Sequence, residues 1–278
     1  MNPASDRVDR PIFIVAPPRC GTTLLYECLS LHPQVGHFNR ADRLFPEAPR
    51  LAALLTKLGV IRDSPRESRD LWFRFLGTRE LDLAGAGDAS EAARDWYRRR
   101  IAATLRARGA TRFAAKLPAH SAQVGYLRAL FPDARFLQPL RDWRAVVAST
   151  VVKRARDFPG RWFGVRLPGW QQAAALPPHV GAAWQYRVVH ELLAQERAAA
   201  PASFLPVAYE ALVGDPVATM RRVFAFCGLE SSAGIEAQLL RDIRPAHERW
   251  REVLTPDRLA EIEREHGGFR AAHAAAAR

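Results

Sequence analysis

Apolar residues in this chain fall into short solid runs separated by longer periodic stretches. Residues 11–16 (PIFIVA) form one such run directly after the arginine at position 10, and residues 113–116, 135–140 and 204–208 form others. Runs of this length without polar alternation mark strands buried on both faces, as in a parallel sheet. Between them, apolar residues recur at helical spacing. That pattern predicts helices over residues 24–31, 92–108, 121–130, 143–154, 182–199 and 216–227. Strand alternating with helix predicts an α/β fold: a three-layer sandwich with a central, mainly parallel sheet, in a single domain over residues 1–270. Two segments break the rhythm. Residues 37–110 are an insertion between the first and second of these strands, and their first part, 37–90, reads as mostly helical and polar. Residues 155–180 are rich in Pro, Gly and Trp and are expected to form a lid loop or substrate wall. The Ala-rich tail, 271–278, is expected to fray.

Composition narrows the class. With 278 residues, 48% hydrophobic and 25% charged, the chain is an ordinary globular one, which excludes wholesale disorder, collagen and coiled coil. No apolar run is long enough to span a bilayer. The start, MNPASDRVDRPIFIV, sets acidic residues ahead of a brief apolar stretch and does not read as a signal peptide, so a cytoplasmic location is expected. Lys and Arg number 41 against 29 Asp and Glu, a net charge of +12. Such a charge suits an anionic partner or serves solubility alone. The arginines are scattered and no basic stripe interleaves with aromatics, so no nucleic-acid partner is expected. Cys20, Cys28 and Cys227 lack metal-ligand or disulfide spacing, as in a reducing compartment.

Strand, then PPRCGTT, then helix is the first chemical signal. In such a turn the amides of Arg19, Cys20, Gly21, Thr22 and Thr23 can face one anion, helped by the helix dipole and the two threonine hydroxyls. A nucleoside-triphosphate loop of the GxxxxGK[ST] type needs a lysine where Thr22 stands. FLQPLRD mimics a metal-binding strand ending in Asp142, but Arg141 puts a cation where the metal would sit. Triphosphate hydrolysis is therefore disfavoured. A tyrosine-phosphatase loop needs Arg six residues after its Cys, and Tyr26 stands there.

The second signal is RFAAKLPAHSAQVGYLRALFPDARFLQPLRDWRAVVAST, followed by YEALVGDP at residues 209–216. Here the chain resembles the sulfotransferases that use 3'-phosphoadenosine 5'-phosphosulfate (PAPS), a P-loop-like family. The family's PRSGTT loop appears as PRCGTT, its KxP as Lys116-Leu117-Pro118, its FPxAKxIxxxRDPRxxxxS as FPDARFLQPLRDWRAVVAS, and its YExLxxDP as YEALVGDP. The match in order and spacing covers roughly residues 11–35 and 112–230. It is nearest the bacterial or carbohydrate- and protein-tyrosine-type branch.

The resemblance implies residue roles. Arg19, Cys20, Gly21, Thr22 and Thr23 would cradle the 5'-phosphosulfate, and Lys116 would stabilise the leaving phosphate. Arg141 and Ser149, with Lys153 or Arg154 assisting, would bind the 3'-phosphate. Alternatively, Ser149 bonds back inside its helix. Tyr209 would lie near the adenine or be a core aromatic. No metal is required, since sulfuryl transfer needs positioning and fixed positive charge. Three departures stand out. Cys20 replaces the usual Ser, and a thiol at a helix N-terminus is expected to have a lowered pKa and to be redox-sensitive. Trp143 replaces Pro or Gly. No carboxylate occupies the stretch 37–40, where the tyrosine-protein branch carries its general-base Glu, leaving His37, Asp42 and His120 as candidates. The expected activity is sulfuryl transfer from PAPS to a hydroxyl or amine on a small-molecule, carbohydrate, lipid or peptide acceptor. The alternative is a nucleotide-binding protein that keeps the site without turnover.

Overall fold

The computed structural model describes residues 8–243 and 249–266; the expected fraying of 271–278 lies outside the described residues. Five strands, β1 (Ile12–Ile14), β2 (Val35–Gly36), β3 (Arg112–Lys116), β4 (Arg135–Leu140) and β5 (Phe204–Ala208), form one sheet in the order β2-β3-β1-β4-β5. Every pairing is parallel, and Ile14 lies in register with Lys116 on one side and Leu137 on the other. β1 shows why its residues are apolar without alternation. Phe13 and Val15 join one core cluster while Ile12 and Ile14 join another, so both faces are covered.

The first cluster is aromatic. Phe13 stacks on Phe136 with ring centroids 5.9 Å apart and meets Trp72 edge-on at 5.6 Å. Trp72 in turn stacks on Tyr97, whose hydroxyl donates to the carbonyls of Leu71 and Trp72. The opposite cluster takes Leu25 and Leu29 from the helix Thr22–Ser30 and Met220, Val223 and Phe224 from the helix Pro216–Cys227. Local sequence sets the helix ends. Asp215 Oδ1 accepts from Ala218 N at 2.9 Å, Pro216 opens the first turn, and Gly228 closes the helix at φ 67°. Asp142 starts the helix Trp143–Asp157 by accepting from Arg144 N, and Ser90 and Gly109 bracket the helix Glu91–Arg108.

Two expectations are corrected. Residues 37–90 are not mostly helical. They hold the short helices Arg40–Leu44, Pro49–Lys57 and Arg69–Trp72 with irregular chain between them. They are polar at the surface, yet Phe38, Leu71 and Trp72 anchor them in the core and Asn39, Asp42 and Asp63 bond inward. Residues 155–180 are not a loose loop. The preceding helix runs to Asp157, a further helix spans Trp170–Ala175, and the next begins at Pro178. Val165 and Leu167 are buried, and Val165 N donates to Gln185 Oε1 at 2.6 Å. The loop itself is residues 158–169, tied down at Val165 and Leu167. No helix among the described residues is long and apolar enough to cross a membrane.

Candidate active site at the strand ends

The carboxyl ends of β1, β3, β4 and β5 carry the residues singled out in the sequence. β1 lies between β3 and β4, which makes this edge the switch point where open α/β sheets bind ligands. After β1 the chain passes through left-handed conformations at Arg19 (φ 73°) and Gly21 (φ 93°). The helix Thr22–Ser30 starts here, and no side chain caps its first amides. Gly21 is required twice over. Besides its φ, a Cβ there would lie 2.4 Å from Tyr209 Cδ2. A non-glycine residue held left-handed, as at Arg19, stores strain that functional loops tolerate.

Arg19, Arg141, Ser149 and Tyr209 converge. Arg19 Nε donates to Ser149 Oγ at 2.9 Å, Arg141 donates to the Arg19 carbonyl at 3.1 Å, and the Arg141 guanidinium lies 4.2 Å over the Tyr209 ring. Burial lowers the pKa of Arg19, and the like charges of Arg141 and Arg156 lower it further. Cations crowded in this way favour an anion among them. A cavity of about 470 Å³ opens beside them, lined by Arg141, Ser149, Tyr209, Glu210, Arg249 and Trp250. The sequence reading set Arg19 at the 5' end of the donor and Ser149 at the 3' end; the structure joins them by a hydrogen bond. Thr22 is buried and Thr23 exposed at the helix start. Lys153 is ion-paired with Asp157 and does not line the cavity. Arg154 is spent on the carbonyls of Arg161 and Ala174.

Cys20 is fully buried, with Sγ 4.0 Å from His190 Nε2. Burial pushes its thiol pKa up, which corrects the expectation of a lowered, redox-sensitive thiol. Helix-dipole stabilisation of a thiolate is outweighed by desolvation.

A second group stands at the end of β3, outside the lining of that cavity. Lys116 is buried, and its Nζ stands 2.5 Å from Glu67 Oε1. Glu67 is half-exposed and is followed by Ser68, another non-glycine residue with positive φ (47°). The sequence reading missed Glu67. It lies in an irregular stretch far along the chain from Lys116, and no local motif marks it. The expected bases fare differently. Asp42 is buried with both oxygens taken: Oδ1 by Arg100 at 3.0 Å, Oδ2 by Asn39 N at 2.9 Å and Arg108 at 2.8 Å. It caps a helix and neutralises two arginines, so it is not open to an acceptor proton. His37 is buried too, with Nε2 3.3 Å from Asp63 Oδ1 but not aligned for a hydrogen bond. Contact with His37, reinforced by Arg108 and Asn39 against the opposing effect of burial, holds the Asp63 carboxyl down to about 2. His120 is fully buried against Phe13 and Trp72, and burial, with Lys116 adding, lowers its pKa to about 3. Its ring is neutral and enclosed. These burials correct the candidacies of Asp42, His37 and His120 as the base. Among the described residues no group of three or more His, Cys, Asp or Glu side chains is arranged to hold a metal ion.

The profile described as the Sulfotransferase family matches residues 11–233. The chain is 28% identical over 219 residues to protein-tyrosine sulfotransferase A of Caenorhabditis elegans, covering 77% of this chain and 49% of that protein. It is 26% identical over 266 residues to omega-hydroxy-beta-dihydromenaquinone-9 sulfotransferase Stf3 of Mycobacterium tuberculosis, covering 80% and 63% respectively. The chain thus spans less than two thirds of the length of these relatives, and about half of the first. Among solved structures, sulfotransferase STF9 of Mycobacterium avium superposes with a TM-score of 0.59 at 20% identity, covering 94% of this chain and 76% of that one. STF1 of M. tuberculosis superposes with a TM-score of 0.55 at 18% identity, covering 91% and 78%. Likeness at that identity shows a shared fold. A profile match that runs from β1 to the start of the helix Ala233–Asp242, and takes in all five strands, makes this chain a member of the sulfotransferase family.

Proposed function

We propose that the protein transfers a sulfuryl group from PAPS to a hydroxyl acceptor, leaving adenosine 3',5'-bisphosphate. The observation that carries the reading is the convergence of Arg19, Arg141 and Ser149 beside an uncapped helix N-terminus. A donor with phosphates at both the 3' and the 5' position needs two anion sites. The loop amides with Thr22 and Thr23 suit one, and Arg141, Ser149 and Arg19 suit the other, the arginines by bidentate hydrogen bonding. Tyr209 and Trp250 supply flat walls for the base between them. The donor, when bound, supplies an activated sulfuryl group on a phosphate leaving group.

The chain's own residues then have distinct tasks. Lys116 offers fixed positive charge to the phosphate as it takes up the bonding electron pair. Glu67, standing on Lys116, takes the proton from the acceptor hydroxyl as its oxygen bonds to sulfur. The alternative, a nucleotide-binding protein without turnover, drew its force from the missing carboxylate near His37, and Glu67 supplies one. The relatives named for tyrosine and for a hydroxylated menaquinone support a hydroxyl as the accepting group. The three cysteines are free and buried, which accords with a reducing, cytoplasmic setting.

Calorimetry with a chelator present should show adenosine 3',5'-bisphosphate binding without Mg²⁺. Arg141→Ala should weaken the bisphosphate by about tenfold or more, and adenosine 5'-phosphate much less, because only the former carries the 3'-phosphate. A strict metal requirement, or equal losses for both nucleotides, would sink the assignment. Transfer of labelled sulfate from PAPS to hydroxylated acceptors tests turnover itself.

A further inference from the structure

The helix Pro49–Lys57 is inverted for a surface helix. It buries Ala52 and leaves Leu51 and Leu54 41% and 51% exposed. Leu44 before it and Leu58 and Val60 after it are 54%, 66% and 67% exposed. The other exposed large aliphatics among the described residues, Leu83, Val152 and Leu240, are scattered. Leu51, Leu54 and Leu58 follow at three- and four-residue spacing and so share one face. A contiguous aliphatic ridge in water marks contact with an apolar medium.

Charge identifies the medium. Around the ridge Arg40, Arg50, Lys57, Arg62 and Arg66 are exposed and make no ion pair among the described residues. The neighbouring carboxylates are engaged: Glu47 with Arg74 at 2.9 Å, Asp70 with Arg43 at 3.0 Å, and Asp63 with Arg108 at 3.6 Å. Two copies packed ridge to ridge would press these basic fringes together. An anionic bilayer satisfies both features, taking the leucines into the acyl boundary while the long basic side chains reach headgroup phosphates. The ridge is also tied to the acceptor side of the site. Asn39 Nδ2 donates to Thr56 Oγ1 at 3.0 Å, Arg66 N donates to the Phe38 carbonyl at 2.9 Å, and the next residue is Glu67 on Lys116.

We propose that the aliphatic ridge of residues 44–60 docks the protein on an anionic lipid surface, and that the sulfate acceptor is a hydroxyl on a lipid embedded there. The second half rests on the sulfuryl-transfer reading. The test is sedimentation of the full chain with vesicles of phosphatidylcholine containing phosphatidylglycerol, and with phosphatidylcholine alone. Wild type should bind the mixed vesicles, less so in high salt, and bind the neutral ones weakly. Leu54→Asp with Leu58→Asp should cut partitioning by about tenfold or more, since inserting one leucine is worth roughly that factor. Lys57→Ala with Arg62→Ala should reduce binding to the mixed vesicles only. Calorimetric binding of adenosine 3',5'-bisphosphate by both variants checks that they fold. Wild type that ignores the mixed vesicles, an aspartate variant that binds them equally, or a concentration-dependent dimer lost in that variant without lipid binding would each overturn the docking. Vesicle binding without bisphosphate binding would leave the docking standing and overturn the lipid acceptor together with the transfer reading.

Discussion

Lys116 and Glu67 stand in contact, and replacing either is expected to lower turnover more than donor binding. Charge develops on the leaving phosphate only as its bond to sulfur breaks, so a cation aimed there acts on the transition state more than on the bound donor. Lys116→Ala should therefore lower kcat by roughly 10²–10³ while the Kd of the donor changes little. Single-turnover transfer alongside separate binding measures this, and turnover within a few-fold of wild type refutes the role. Glu67→Gln keeps the shape of the side chain but cannot take a proton. It should lower kcat by roughly 10²-fold or more with little change in the Kd of the donor. Turnover within a few-fold of wild type refutes the role. Of this pair the lysine was legible in the sequence, because its spacing to a proline and to later motifs is local. The glutamate was not, because its partner is chosen by the fold. The same holds for the Arg19–Ser149 hydrogen bond, which joins the turn after β1 to the helix after β4.

At the scale of elements, β4, β5 and the helix Pro216–Cys227 match their sequence expectation at both ends. Their boundaries are written in solid apolar runs, Pro216 and Gly228. β2, with two residues, was invisible to any periodicity. The segment between β2 and β3 was misread because a few of its polar residues, Asn39, Asp42 and Asp82 among them, are buried in place of a helical apolar stripe. Asp42 is the centre of that arrangement, holding Arg100 and Arg108 against the start of the helix Arg40–Leu44. Burial lowers the pKa of Arg100 and Asp42 opposes that shift, so losing the carboxylate strands a buried cation. Asp42→Asn should destabilise the protein by about 3–5 kcal/mol, yet leave turnover per folded molecule near wild type. Denaturant midpoints paired with kcat corrected for folded fraction decide this. A selective collapse of kcat in a stable variant would return Asp42 to the list of bases.

For the molecule as a whole, acid is the expected route to unfolding. His120 has a folded pKa of about 3 against an ordinary 6.5, so its contribution is fully present above 6.5 and is lost as pH falls toward 3. Asp63, held at about 2 against 3.8, loses its contribution only in stronger acid, as pH falls from 3.8 through 2. Unfolding free energy measured in urea should decline from just above pH 6.5 downward, and His120→Leu should flatten the decline between 6.5 and 3. An unchanged profile in that variant would refute the linkage. The aromatic cluster that encloses His120 has a further consequence. Phe13, in the strand that carries the phosphate loop, and Trp72, in the segment that carries Glu67, pack directly on each other. Donor and acceptor machinery therefore cannot be exchanged between relatives as separate cassettes, since a new partner at position 72 must still fit Phe13. Residues 43–62, where only Ala52 is buried, can by contrast be replaced without repacking the sheet.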